Sequence, residues 1–211
     1  MNKDVPFFAN TSDDTHCYQA ALKMVLKYFQ PKKEYSFAEL DKLTAKVEGL
    51  WTWPTQGLLY LHTMGFNIVH ISDFSIKEFV KHGGTYLIRR YGNEVGKAQI
   101  AHSDIPQEQR IYAQYYKLGL HQEKLPTLKE IKKLIDNDYL VICNVNSKML
   151  NQKSGYVGHF VVIFAYNDQE LLLHDPGMPP QQNRHVSYSD FLKAWEYPDA
   201  RSKNILAFRF F

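Results

Sequence analysis

Cys17 stands within a segment, residues 10–29, whose spacing predicts a helix. Apolar residues follow it at three- and four-residue steps, which places the thiol and an apolar stripe on one helical face: Ala20, Ala21, Met24, Val25 and Tyr28. The pattern predicts Asp14 or Thr15 as the N-cap, so that Cys17 lies in the first turn. Unpaired backbone N–H groups and the helix dipole favour a negatively charged sulfur there, as a nucleophilic thiolate requires. A buried cysteine that only packs in the core is the structural alternative.

Two later segments contribute an imidazole and a carboxylate. Residues 158–163 have the composition of a strand that opens with His159, and residues 171–175 form a second strand pattern that closes on Asp175. A tight turn around Asn167 would pair the two strands, so the start of the first lies beside the end of the second. An imidazole that takes the proton of a thiol, and a carboxylate that orients the ring, together support nucleophilic acyl chemistry.

Other histidines and a metal site are less well supported by the pattern. His16 should point about a quarter turn away from Cys17, and His174 should face the side of its strand opposite to Asp175. A metal site would have to recruit Cys17, His159, Asp175 and His16, but the sequence has no CxxC, HxxxH or clustered carboxylates. It also has no glycine-rich phosphate loop. We therefore expect no metal ion and no organic cofactor.

Composition indicates one globular domain. The chain has 211 residues and is 45% hydrophobic, with a net charge of +3 that is evenly spread, which excludes an obvious nucleic-acid surface. The start lacks the apolar core of a signal peptide, and no stretch approaches the roughly 20 apolar residues of a membrane span. We expect a cytoplasmic protein with Cys17 free and Cys143 inert inside a buried strand, residues 140–145. These patterns make no prediction of oligomeric state.

Local signals predict several helices in the first half. Capping boxes are formed by Ser36 with Glu39, by Ser75 with Glu78 and by Thr127 with Glu130. The Gly83-Gly84 pair is expected to end the second of these helices, and residues 85–89 then resemble a strand. Residues 90–124 are polar and contain one predicted helix, over residues 107–118. This segment is interpreted as an insertion that either covers the site as a lid or decorates an edge.

Helices come mainly first and strands last, which predicts an α+β fold with an antiparallel sheet packed on the Cys17 helix. A single domain, residues 1–211, accommodates all of these elements. Trp51 and Trp53 alternate along an extended segment, so one could line a substrate groove while the other packs in the core.

The order of these motifs resembles that of a known family. Cys17 at the head of a helix, Gly158-His159 before an apolar strand, and Asp175-Pro176 after the next strand are similar to the papain-like cysteine peptidases of the bacteriocin-processing, double-glycine-leader group. The resemblance implies a papain-like fold, with Cys17 as nucleophile, His159 as general base and acid, and Asp175 as the group that orients the imidazole.

Two positions depart from the family pattern. Members usually carry a Gln six residues before the cysteine as an oxyanion donor; Thr11 stands there, with Asn10 one place earlier. An Asn10 side chain could donate the same hydrogen bond if the loop holds one extra residue, Thr11 being the other candidate and the Cys17 N–H a second donor. The usual glycine after the nucleophile is Tyr18, which is expected to narrow the space around the thiol.

Three functions agree with these residues. The first is a cysteine hydrolase that cleaves a peptide or related amide bond through an acyl-thioester. The second transfers the acyl group to an amine or thiol instead of water, which a closed and water-poor site would favour. The third is a catalytically silent module that holds a peptide in its groove.

Overall fold

The computed structural model describes residues 3–210, which are built on one seven-stranded sheet. The helices are α1 (Cys17–Phe29), α2 (Phe37–Leu43), α3 (Thr55–Thr63), α4 (Ile76–Ala101), α5 (Ile105–Tyr116), α6 (Leu128–Asp136), α7 (Ser147–Leu150) and α8 (Tyr188–Trp195), with a short 3-10 helix at Ala200–Ser202. The strands are β1 (Asn67–Ser72), β2 (His121–Glu123), β3 (Leu140–Asn146), β4 (Gly158–Tyr166), β5 (Glu170–Asp175), β6 (Gln181–Ser187) and β7 (Asn204–Arg209). In this part of the chain no helix is long and apolar enough to cross a bilayer.

The sheet joins both halves of the chain. Its strand order is β2-β1-β7-β3-β4-β5-β6. All neighbouring strands are antiparallel except β1 and β2, which pair in parallel. The strands of the C-terminal half form the predicted antiparallel sheet, and the parallel pair is added at the other edge, where residues 117–120 return the chain after α5 to run alongside β1 in the same direction.

Helices cover both faces of the sheet. Along β4, Phe160 and Val162 pack into the core that contains α1, whereas Val161 and Ile163 pack with α6 and α8 on the other face. This alternation follows from the two-residue period of a strand. The predicted packing of the sheet on the Cys17 helix therefore describes one of two apolar layers.

Local signals were correct at some helix starts and wrong at others. The Ser36 and Thr127 capping boxes are both formed. Ser75 precedes α4 without a side-chain cap, and its backbone N–H instead donates to the Tyr86 hydroxyl at 2.8 Å. Gly83 leaves helical geometry at φ +49° and ends the first helix of α4 as predicted, but residues 85–89 form a further helix and not the predicted strand. Burial of Tyr86 in the α1-side core outweighs the strand propensity of this segment.

The N-terminal strap, residues 3–10, ties the start of the chain to distant strands. The Lys3 ammonium donates to the carbonyls of Ile135 and Tyr139, at 2.9 Å each. Val5 O accepts from Nε2 of the buried His174 at 2.8 Å, and Asn10 N donates to Pro176 O at 2.8 Å. His174 thus has a structural role in the core, as predicted. The strap holds the loop before α1 against the end of β5.

Glu108 on α5 is a buried carboxyl whose Oε2 has no hydrogen-bond partner within residues 3–210. Burial raises the pKa of Glu108 to about 8 from an ordinary value of 4.5, and the nearby Asp104 charge adds to the rise. At a pH between these two pKa values, the Glu108 carboxyl has released its proton in the unfolded chain but keeps it in the folded protein. The free energy of unfolding therefore falls as the pH rises across this window.

Glu108→Gln is expected to remove this penalty. At pH 8.5 the free energy of unfolding should rise by about 3 kcal/mol, or roughly 6–12 °C in melting temperature, with little change near pH 4.5. Thermal melts at both pH values measure the effect, and Glu123→Gln at an exposed position is the matched control. An equal gain at both pH values would show that ionisation of Glu108 is not the cause.

Candidate active site

Cys17 begins α1 in a loop that Asn10 organises. His16 is the N-cap and makes no side-chain cap bond, so the prediction of Asp14 or Thr15 as N-cap was wrong. The Asn10 Oδ1 accepts from Thr11 N at 2.9 Å and from His16 N at 2.7 Å. This amide, which comes six residues before the N-cap His16, fixes the backbone that a capping side chain would otherwise hold. Cys17 is a free, partly exposed thiol.

The Asn10 amide nitrogen has a partner in the same loop. Nδ2 donates to Asp14 Oδ1 at 2.7 Å, and Asp14 lies in the left-handed region with φ +56°. An amide NH₂ carries two hydrogens, so one N–H remains for another acceptor. The Thr11 hydroxyl lies 2.6 Å from His16 Nδ1 and also contacts the Asp13 carboxylate.

His159 at the start of β4 bonds to Asp175 and lies beside Cys17. Its Nε2 donates to Asp175 Oδ1 at 2.7 Å, while its ring lines the same cleft as Cys17, close enough for the sulfur to affect the pKa of the ring. Because Nε2 is bound to Asp175, Nδ1 is the nitrogen available to the sulfur. Tight pairing of β4 with β5 brings His159 and Asp175 together, on the same face of neighbouring strands. The structure therefore places these three predicted side chains in one cluster.

The charges of this cluster favour an imidazolium. Burial would lower the pKa of His159, but hydrogen bonds and charges from Asp175 and Cys17 outweigh burial and raise that pKa above its ordinary value. Burial would likewise raise the pKa of Asp175, yet the hydrogen bonds and charge it meets hold that pKa well below its usual range. Asp175 is 3% exposed and is ionised at neutral pH.

Two residues that sequence reasoning missed hold the Asp175 carboxylate. Arg184 on β6 donates from Nη1 to Asp175 Oδ2 at 2.6 Å and from Nη2 to Leu150 O at 2.7 Å. Gly177 N donates to Oδ1 at 2.9 Å. A Cβ at Gly177 would lie 2.9 Å from Asp175 Oδ1 and 3.2 Å from His159 Nε2, so the backbone can approach only because this residue has no side chain. β6 is polar and was not recognised as a strand, so nothing in the pattern placed Arg184 beside Asp175.

Tyr18 is accommodated beneath the thiol. Its side chain is 1% exposed, its hydroxyl donates to Pro54 O at 3.0 Å, and its ring lies 5.0 Å from that of Phe160. A Cβ at Gly57 would overlap the Tyr18 hydroxyl. Gly57 on α3 thus leaves space for the Tyr18 side chain, whose ring is buried in the core.

A cleft of about 270 Å³ opens at Cys17 and His159. It extends along β3 and the connection to β4, and it is also lined by Tyr91, Val95, Gln99 and Tyr112 from α4 and α5. The segment at 90–124 therefore contributes a wall of the cleft. Trp51 and Trp53 both line it, although Trp53 is also packed among the core rings of Phe74, Phe79 and Tyr112. Within residues 3–210, no three His, Cys, Asp or Glu side chains form a group that could hold a metal ion.

A helix that begins with cysteine, set against a sheet that carries histidine and aspartate, defines the papain-like class of folds. The chain belongs to the Peptidase_C39 like family, whose sequence model matches residues 2–202. Both the predicted family and the predicted α+β papain-like fold are thus confirmed.

A solved structure supports the same fold. The peptidase domain of Streptococcus ComA, described as a bi-functional ABC transporter involved in a quorum sensing pathway, is similar over 96% of this chain and 96% of its own. The TM-score is 0.52 and the sequence identity 14%. No curated protein matches the chain. Family and fold together are those of cysteine peptidases.

Proposed function

We propose that this protein is a cysteine hydrolase that cleaves a peptide or related amide bond. Cys17 is the nucleophile, His159 the general base and acid, and Asp175 the group that orients the imidazole. The observation that carries this proposal is the convergence of Cys17 and His159 at one cleft, with His159 hydrogen-bonded to the ionised Asp175. Arg184 and Gly177 act through Asp175, as positioning residues.

The proposed reaction proceeds in two acyl transfers. The thiol proton passes to His159 Nδ1, and the thiolate attacks the carbonyl carbon of the scissile bond. The tetrahedral oxyanion collapses to a thioester as Nδ1–H protonates the leaving amine. Water, deprotonated by the same nitrogen, then attacks the thioester and releases the acid and the thiol. The raised pKa of His159 supports this scheme, because an imidazole that binds a proton more tightly is a stronger base toward the thiol.

We assign the oxyanion donors to the Asn10 amide and to the backbone N–H of Cys17. The free N–H of Asn10 Nδ2 supports this role, since Oδ1 is fixed by two backbone donors and the amide cannot rotate away. Thr11 is the weaker candidate because its hydroxyl is engaged with Asp13 and His16.

Alkylation by iodoacetamide tests the activated thiol. We expect rapid modification of Cys17 at pH 7, no modification of the buried Cys143, and a loss of about 100-fold or more in the Cys17 rate in His159→Ala. His62→Ala, at an exposed position, is the control and should keep the full rate. Mass spectrometry of tryptic peptides identifies the site. Equal rates in His159→Ala and the unaltered protein would mean that the imidazole does not activate the sulfur.

Hydrolysis itself is tested with a diverse peptide library. New termini should appear with the unaltered protein and not with Cys17→Ala, and in ¹⁸O-water the new carboxyl groups should carry the label. A reactive Cys17 without any Cys17-dependent cleavage would contradict hydrolysis and favour a silent binding module. New amide or thioester products in place of labelled acids would favour acyl transfer.

A further inference from the structure

Two lysines without counter-charges border the cleft on the His159 side. Lys148 and Lys153 both line it and both are exposed, and neither side-chain ammonium group has a hydrogen-bond or ion-pair partner within residues 3–210. They belong to the connection from β3 to β4, which ends at His159. Both side chains therefore lie at the rim of the cleft that contains the Cys17 thiol.

The connection that carries these lysines is fixed by the buried side chain of Asn146, which is 1% exposed. Asn146 Oδ1 accepts from Lys148 N at 3.0 Å and from Val157 N at 3.2 Å, and Nδ2 donates to Gly155 O at 2.9 Å. Lys153 N donates to Lys148 O at 2.7 Å, so the two lysine backbones are bonded to each other. Both ammonium groups therefore extend from one ordered loop.

The carboxylates of the cleft do not neutralise these lysines. Asp175 is held by His159 and Arg184, and Asp14 accepts from Asn10. Two further cations of the lining have partners of their own, since Arg201 pairs with Asp199 and Lys203 with Glu196. Asp14 keeps its negative charge in the loop before α1, on the Cys17 side of the cleft, whereas on the His159 side the charge without a partner is that of the two lysines.

An aromatic wall adjoins the lysines. Tyr156, on the same connection, lies edge-on to Trp51 with ring centroids 6.1 Å apart and stacks on Tyr197 at 6.0 Å. All three rings line the cleft. Such a wall buries an apolar or aromatic side chain of a bound chain, while the neighbouring ammonium groups attract an anionic one.

From this juxtaposition we propose that the cleft selects peptides that carry an acidic side chain within a few residues of the scissile bond, next to an apolar or aromatic residue. This inference rests on the proposed function. Lys148 and Lys153 supply the specificity for the acidic group, and the aromatic wall supplies the contact for its neighbour. Each exposed charge pair of this kind changes the rate or affinity by about two- to fivefold. This change becomes smaller as the salt concentration rises.

The test compares two peptidyl acyloxymethyl ketones, benzyloxycarbonyl-Phe-Glu and benzyloxycarbonyl-Phe-Gln, which differ only in one charge. We expect the Glu ketone to label Cys17 about five- to twentyfold faster at low ionic strength, and this advantage to shrink at about 0.5 M salt. The double variant Lys148→Gln, Lys153→Gln should lose the advantage. Lys129→Gln on the outer face of α6 is the matched control and should keep it.

The outcomes separate this inference from the proposed function. Equal labelling by the two ketones, or a preference for Glu that survives the double variant, would overturn the acidic specificity while iodoacetamide still shows an activated Cys17. Slow iodoacetamide alkylation that is unchanged by His159→Ala would instead overturn the proposed function. Thermal melts of the lysine variants should match the unaltered protein, because both side chains are exposed and Asn146 still holds the loop.

Discussion

Asp175→Asn is expected to lower Cys17-dependent peptide cleavage by about 10³- to 10⁴-fold while the protein stays folded. Three donors meet this carboxylate: the N–H groups of His159, Gly177 and Arg184. An Asn side chain has only one acceptor oxygen. If the Arg184 guanidinium holds that oxygen, the amide NH₂ faces His159 Nε2, which can then only accept a hydrogen bond. The proton moves to Nδ1, and the imidazole can no longer take the proton of the thiol.

This prediction is measured on any library peptide that the unaltered protein cleaves, together with the rate of iodoacetamide alkylation. Asp168→Asn, in the exposed turn between β4 and β5, is the matched control. Both rates should fall in Asp175→Asn and stay unchanged in Asp168→Asn. Cleavage within tenfold of the unaltered protein would exclude Asp175 as the group that sets the tautomer of His159.

Asn10→Ala is expected to lower peptide cleavage by about 100- to 1,000-fold, which is the usual loss when one oxyanion donor is removed. Alkylation by iodoacetamide is a displacement at a saturated carbon and develops no oxyanion. The variant should therefore keep most of its alkylation rate, in contrast to variants of His159. The two assays together distinguish a lost oxyanion donor from a lost base.

Asn10 also holds the loop before α1, so the fold of the variant is checked by its melting temperature and by circular dichroism. Thr11→Ala removes the competing candidate and is expected to cleave at close to the normal rate. A large loss in Thr11→Ala with normal cleavage in Asn10→Ala would assign the oxyanion site to Thr11. Parallel losses of alkylation and cleavage in Asn10→Ala would indicate that the loop has moved the sulfur.

Sequence signals located the elements that carry the chemistry because those signals are local. The stripe that follows Cys17 predicts α1, and the two apolar runs around Asn167 predict the β4–β5 pairing that brings His159 to Asp175. Each depends on residues close in sequence, so periodicity and turn chemistry were sufficient.

The errors fall where contacts distant in sequence decide the structure. Residues 85–89 were predicted as a strand, yet a second helix follows the break at Gly83, because Tyr86 is buried there and its hydroxyl accepts from Ser75 N. β6 pairs with β5 and has a single buried apolar residue, Val186, too weak a signal to predict a strand, so the Arg184 that contacts Asp175 could not be placed. The hydrogen bond from His16 N to the Asn10 side chain takes the place of an N-cap side-chain bond at α1. Known capping patterns do not predict this contact, because Asn10 is six residues before His16.

The strap of residues 3–10 affects the order in which the protein can acquire reactivity. The bond from Asn10 to Pro176, like that from His174 to Val5, joins the first residues of the chain to β5. These contacts close a loop of more than 160 residues, and the entropy lost on closure is offset only when the contacts of the intervening strands have formed. An unfinished chain on the ribosome can therefore form the Cys17 helix with no imidazole beside it. Under the proposed function, activation of the Cys17 thiol therefore waits until β4 and β5 have been synthesised and paired.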